Sequence, residues 1–93
     1  MFTVTTKYYL VTVVTKPEVA EHLLPNIRKL NIVYFTVQNY KVGKSGETGE
    51  KDIVKVKMLC AKGTLADTMN YIKEYYVNGF GVVCYYVEAN IPV

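Results

Sequence analysis

The order of secondary-structure signals along the chain is what most limits its fold: strand, helix, strand, then strand, helix, strand, in two halves that echo each other. A shift of 46 residues lays Thr15-Lys16-Pro17-Glu18-Val19-Ala20-Glu21 on Ala61-Lys62-Gly63-Thr64-Leu65-Ala66-Asp67, matching lysine, alanine and acidic positions. Tyr8 to Thr15 is a β-branched and aromatic run closed by Lys16-Pro17, and it reads as a strand. Thr15 with Glu18 forms a capping-box pattern, and Pro17 sits in the first turn, where its missing N–H costs nothing. Val19, Leu23, Ile27 and Leu30 recur at helical spacing, with Ala20 and Leu24 widening the stripe. Pro25 interrupts it, so a kink at Leu24 or a split into two short turns is expected.

Ile32 to Lys41 reads as the second strand and Asp52 to Ala61 as the third. In the third strand Val54, Val56, Met58 and Cys60 face inward and Lys55 and Lys57 outward. Between them, residues 42–51 hold three glycines and no apolar side chain after Val42, so this segment is expected to be a flexible loop. Thr64 and Asp67 open a second helix with Leu65, Met69, Ile72 and Tyr76 on one face and Asn78-Gly79 as its stop. Gly81 to Asn90 is the fourth strand. Two such βαβ halves make an α+β, ferredoxin-like βαββαβ sandwich, a four-stranded antiparallel sheet with both helices on one face. Strands one and four are apolar at consecutive positions (Leu10-Val11, Val82-Val83, Tyr85-Tyr86-Val87), so the face away from the helices carries hydrophobes too, and a partner subunit is their simplest cover.

With 93 residues the chain is a single domain, 1–93, whose own core is modest. A net charge of +3 falls short of a nucleic-acid-binding face, and the third strand lacks the aromatic residues an RNA-recognition sheet would stack on bases. No window is long and apolar enough for a membrane span and the first residues do not read as a signal peptide, which points to the cytoplasm. Cys60 and Cys84 read as buried thiols, and a lone His22 offers no metal set. Gly43-Lys44-Ser45 mimics the end of a Walker loop, but Gln38 stands where the earlier glycine belongs, and a strand follows instead of a helix. Glu47, Glu50 and Asp52 read as solvated loop carboxylates, and no Ser, Thr or Cys has an activating base, so an enzyme is not expected. The loop itself remains: Lys41 and Lys44 with Gly43, Gly46 and Gly49 can hold an anion, phosphate being the natural one. The turn Asn78-Gly79-Phe80-Gly81 is a second permissive segment that could meet it across subunits.

The stretch VVTKPEVAEHLLPNIRKLNIVYFTV (13–37) resembles the PII signalling proteins and their PII-like relatives, with Lys16-Pro17, Ile32 and Thr36-Val37 as identities. The second half, VKVKMLCAKGTLADTMNYIKEYY followed by NGFGVVCYYVEANI, resembles the shorter PII-like members tied to bicarbonate transport or carboxysomes. The resemblance implies a homotrimer with the sheets inside, an adenine nucleotide in each cleft between subunits, and a shortened T-loop at about 42–51 that acts on a membrane transporter or a carbon-metabolism enzyme. It places Thr36 at the base or ribose, Ala61 near the adenine, and Lys41, Gly43 and Lys44 at the phosphates, with Gln38, Gly46, Asn78, Gly79, Phe80 and Gly81 completing the ligand-binding set. The shortened turn at Asn78–Gly81 and the lack of a basic pair after strand four favour ADP, AMP or cyclic AMP over Mg-ATP, with no prosthetic group. A trimeric ferredoxin-like protein of the divalent-cation-tolerance type, or a scaffold, that binds metal and no nucleotide is the alternative.

Overall fold

The computed structural model describes residues 5–74 and 83–92. Its elements run β1 (Thr5–Thr15), α1 (Pro17–Ile27), β2 (Tyr34–Val42), β3 (Lys51–Ala61), α2 (Lys62–Ile72) and β4 (Val83–Pro92). The strands form one sheet in the order β2-β3-β1-β4, every neighbouring pair antiparallel, which is the ferredoxin-like arrangement the tandem βαβ halves predict.

Strand parity sorts the two faces. Val11, Val13 and Thr15 of β1 stand opposite Met58, Val56 and Val54 of β3. The apolar residues among these, with Cys60, form one buried cluster with Ala20, Leu23 and Ile27 of α1 and Ile72 of α2. Both helices therefore cover the same face. Each large side chain fully buried in this way is worth roughly 1.5–3 kcal/mol relative to exposure, so β3 and β1, central in the sheet, hold the fold. Val11 and Val13 share this face, both fully buried, whereas Leu10, Thr12 and Val14 belong to the opposite one. The inward alternation expected for β3 holds.

Several local expectations give way to tertiary context. Pro25 lies inside α1 without splitting it. Only two helical residues follow it, so the hydrogen bond it removes is near the end of the helix. Leu30 falls beyond that end, in a turn closed by its N–H on the Ile27 carbonyl. Neither helix is capped as predicted. Lys16 is the N-cap of α1 with no side-chain cap bond, because Thr15 is held in the β1 ladder opposite Val54. The N-cap of α2 is Ala61, and Thr64, already within the helix, donates its hydroxyl to the Ala61 carbonyl at 3.0 Å. The boundaries also shift: β2 begins at Tyr34, leaving Ile32 and Val33 in its approach, and β1 extends back to Thr5. Tyr76 and the Asn78-Gly79 stop lie outside the described residues, as do Gly81 and Val82.

The expected 42–51 loop is shorter than predicted, since Val42 and Lys51 pair across the two strands and leave 43–50 as the connection. β1 ends opposite Val54, yet the β2–β3 ladder continues through Ile53, Asp52 and Lys51. The hairpin thus overhangs the sheet, and the molecule is elongated, 56 × 28 × 18 Å.

Candidate functional site

The overhanging hairpin is where the chain concentrates charge and backbone freedom. Lys41 and Asp52 are directly opposite, with Lys41 Nζ 3.3 Å from Asp52 Oδ1, both side chains exposed. At the tip the Glu47 N–H donates to the Lys44 carbonyl at 3.1 Å, closing a turn. Gly46 and Gly49 have φ of +86° and +89°, a backbone that L side chains rarely adopt, and this explains their place in so short a connection.

Between the hairpin and the body of the sheet lies a cavity of about 660 Å³. Its walls are the end of β1 and the Lys16-Pro17 turn on one side, Lys44 and residues 47–53 on the other, and Val83 at the start of β4. Val14, Val42, Ile53 and Val83 give it an apolar floor. Its charged lining residues are Lys16, Lys44 and Lys51 together with Glu18, Glu47, Glu50 and Asp52. The carboxylates predicted to be idle therefore line a cavity, and Asp52 is occupied by Lys41.

The sheet face away from the helices carries a second polar group. Tyr40 donates its hydroxyl to Gln38 Oε1 at 2.8 Å, and the Lys55 ammonium lies over the Tyr40 ring at 5.1 Å. Thr36 stands opposite Lys57, and Gln38 opposite Lys55. Around this polar strip the outer strands are apolar and exposed, Val83, Tyr85 and Val87 of β4 and Tyr34 and Tyr40 of β2 being 40–58% exposed, while Thr12 and Leu59 of the central strands are buried.

The candidate ligand residues do not all converge in one chain. Lys41, Gly43, Lys44 and Gly46 belong to the overhanging hairpin, while Thr36 and Gln38 sit further down β2 on the opposite face of the ribbon from Lys41. Ala61 is at the far end of β3, opposite Tyr8, ten residues from Lys51 and so roughly 33 Å along the strand. Asn78, Gly79, Phe80 and Gly81 lie outside the described residues, although Val83, just after them, lines the cavity. Sequence reasoning missed Thr15, Lys16 and Lys51 as cavity residues. The overhang that brings the hairpin above the β1–α1 turn is set by pairing register, which composition does not show.

Among the described residues no three His, Cys, Asp or Glu side chains gather into a metal-holding group. Burial pushes the Cys84 thiol up to about 11 and raises that of Cys60, where a hydrogen bond with Thr68 partly opposes the effect. Both cysteines are therefore packing residues at neutral pH.

No protein-family model and no curated protein matches the sequence. Solved structures do match its fold. A protein of Thermus thermophilus described as a PII-like signalling protein superposes with a TM-score of 0.75 at 15% identity, over 94% of this chain and 90% of that one. The apo form of CPII, a nitrogen regulatory PII-like protein from Thiomonas intermedia K12, gives a TM-score of 0.78 at 5% identity, over 99% of both chains. CPII is also solved with ADP, AMP and bicarbonate, with a TM-score of 0.76 at 8% identity over 95% of this chain and 96% of that one. At such identities the likeness is one of architecture, and it falls on the same group of proteins that the sequence resembles: this chain has the PII-like, ferredoxin-type fold.

Proposed function

We propose that this protein is a non-enzymatic PII-like regulator: a homotrimer that binds an adenine nucleotide such as ADP, AMP or cyclic AMP in clefts between subunits and signals through the 42–51 hairpin. The observation that carries this reading is the pairing of an open cavity at the hairpin base with an apolar sheet face exposed across β2 and β4. An exposed face of valines and tyrosines is a surface for association. This reading requires that three such faces pack together so that each hairpin base meets a neighbouring chain, with Thr36 and Ala61 joining Lys41 and Lys44 across subunits. CPII, of the same fold, is bound to ADP and AMP, which supports the nucleotide class.

In this reading the effector orders the hairpin and changes what it docks on, a membrane transporter or a carbon-metabolism enzyme in the cytoplasm. No helix among the described residues is long and apolar enough to cross a membrane. The test is sedimentation velocity at micromolar concentration combined with a thermal-shift panel of adenosine, AMP, ADP, cyclic AMP, Mg-ATP and divalent cations. The expected result is a three-chain species stabilised by an adenine nucleotide, by roughly 2.7 kcal/mol at 100 times its Kd. A monomer, or stabilisation by divalent cations alone, overturns it, the latter in favour of the divalent-cation-tolerance type.

A further inference from the structure

One residue of the cavity wall at the hairpin base carries an unexplained polar group. Thr15 is 3% exposed and lines that cavity, and its Oγ1 is the one buried side-chain nitrogen or oxygen among the described residues with no hydrogen-bond partner. A buried hydroxyl left unpaired is costly, and each such atom calls for a reason. The same wall carries the start of α1, an eleven-residue helix with Pro17 at its first position and no side-chain cap. Its first available N–H groups are those of Glu18 and Val19, at the positive end of the helix dipole. Lys16 adjoins them in the turn, and Lys44 and Lys51 stand across the cavity.

We infer that this wall is a phosphoryl-oxyanion site, in which Thr15 Oγ1 and the Glu18 and Val19 N–H groups donate to phosphate oxygens and Lys16 supplies a point charge. The inference rests on the nucleotide reading above and names the residues that take its terminal phosphate, although free phosphate has the same chemistry. A helix N-terminus favours an anion by dipole and by free donors together. The lining carboxylates, Glu18, Glu47, Glu50 and Asp52, offset the lysines, so directional donors hold the ligand more than net charge does. Binding should accordingly be less salt-sensitive than a cluster of lysines alone would make it.

The test compares wild type with Thr15→Val, which keeps the shape and removes the hydroxyl, and with Lys16→Ala. Because Thr15→Val deletes an unpaired buried oxygen, its melting temperature without ligand should equal or exceed that of wild type. Calorimetric titration should nonetheless show ADP bound about tenfold more weakly by either variant, with adenosine unaffected. Amide NMR should show the Glu18 and Val19 N–H signals shifting when ADP is added to wild type, and inorganic phosphate alone distinguishes the two sources. Unchanged ADP affinity in Thr15→Val, or equal losses for ADP and adenosine, overturns the site. If wild type binds no adenine nucleotide, the nucleotide reading fails, and the site then stands if inorganic phosphate moves those two amides and falls if it does not.

Discussion

The two faces of the sheet are built from the same four strands, yet they differ in how far their apolar side chains are covered. Toward the helices, Val11, Val13, Val56 and Met58 are fully buried and packed on Leu23, Ile27 and Ile72. On the other side, Val83, Tyr85 and Val87 expose about half their surface, interrupted by the Lys55–Tyr40–Gln38 group. The first face closes within one chain over β1 and β3, while Val37 and Tyr86 on its flanks stay exposed. The second is apolar too, and its flanking strands stay exposed, so it is the surface on which the proposed assembly depends.

The sharpest way to break the comparison is to place the same charge on each face. Val13→Asp buries a carboxylate in the helix-covered core, with an expected loss of about 3–5 kcal/mol or more, enough to unfold a small domain. Val87→Asp should leave the circular dichroism spectrum native while the sedimenting species falls to a single chain. If Val87→Asp unfolds the chain as Val13→Asp does, or still sediments as wild type, the two faces do not divide the work in this way.

A smaller effect is expected at the hairpin, which belongs to neither face. The Lys41–Asp52 pair is exposed, so it contributes about 0–1 kcal/mol to folding. Replacing Lys41 and Lys44 by Ala should leave the melting temperature of the free protein nearly unchanged while weakening nucleotide binding by on the order of tenfold per lost contact. Calorimetry at two salt concentrations checks it, because the deficit should shrink as salt rises. Equal affinities for variant and wild type would move the phosphates away from the hairpin base.

The smallest effect is a pH dependence. Cys84 packs on Met69 on the helix side, Sγ to Sδ 3.8 Å, and its thiol is pushed from 9.0 to about 11. The folded chain thus holds the proton more tightly than the unfolded one. The contribution is complete below pH 9.0 and is lost as pH rises toward about 11. Denaturant melts of wild type and Cys84→Ala across that window should converge with rising pH, and parallel curves would show that the thiol does not respond to burial.

Much of this was legible in the residues themselves. The β-branched runs, the helical stripe of Val19, Leu23 and Ile27, and the alternation of β3 follow from side-chain periodicity, which any chain displays before it folds. The surplus of apolar residues in strands one and four likewise announced a second face in need of cover. Thr15 shows where that kind of reading stops. Its pattern with Glu18 was that of a helix cap, but ladder pairing with Val54 competes for the same residue, and the sheet prevails. Pro25 was a helix breaker by local rules, yet it comes so near the end of α1 that its missing donor breaks little. Periodicity assigned a face to each residue only relative to its neighbours, so it could not say that Val11 and Val13 go to the helices and Leu10 and Val14 away from them. The register of β2 on β3 past the end of β1 lifts the hairpin over the Lys16-Pro17 turn and creates the cavity. Register is a relation between distant segments, fixed when whole faces pack at once, and for that reason the sequence determined the elements and the surplus hydrophobicity while only the tertiary structure decided where the cavity lies.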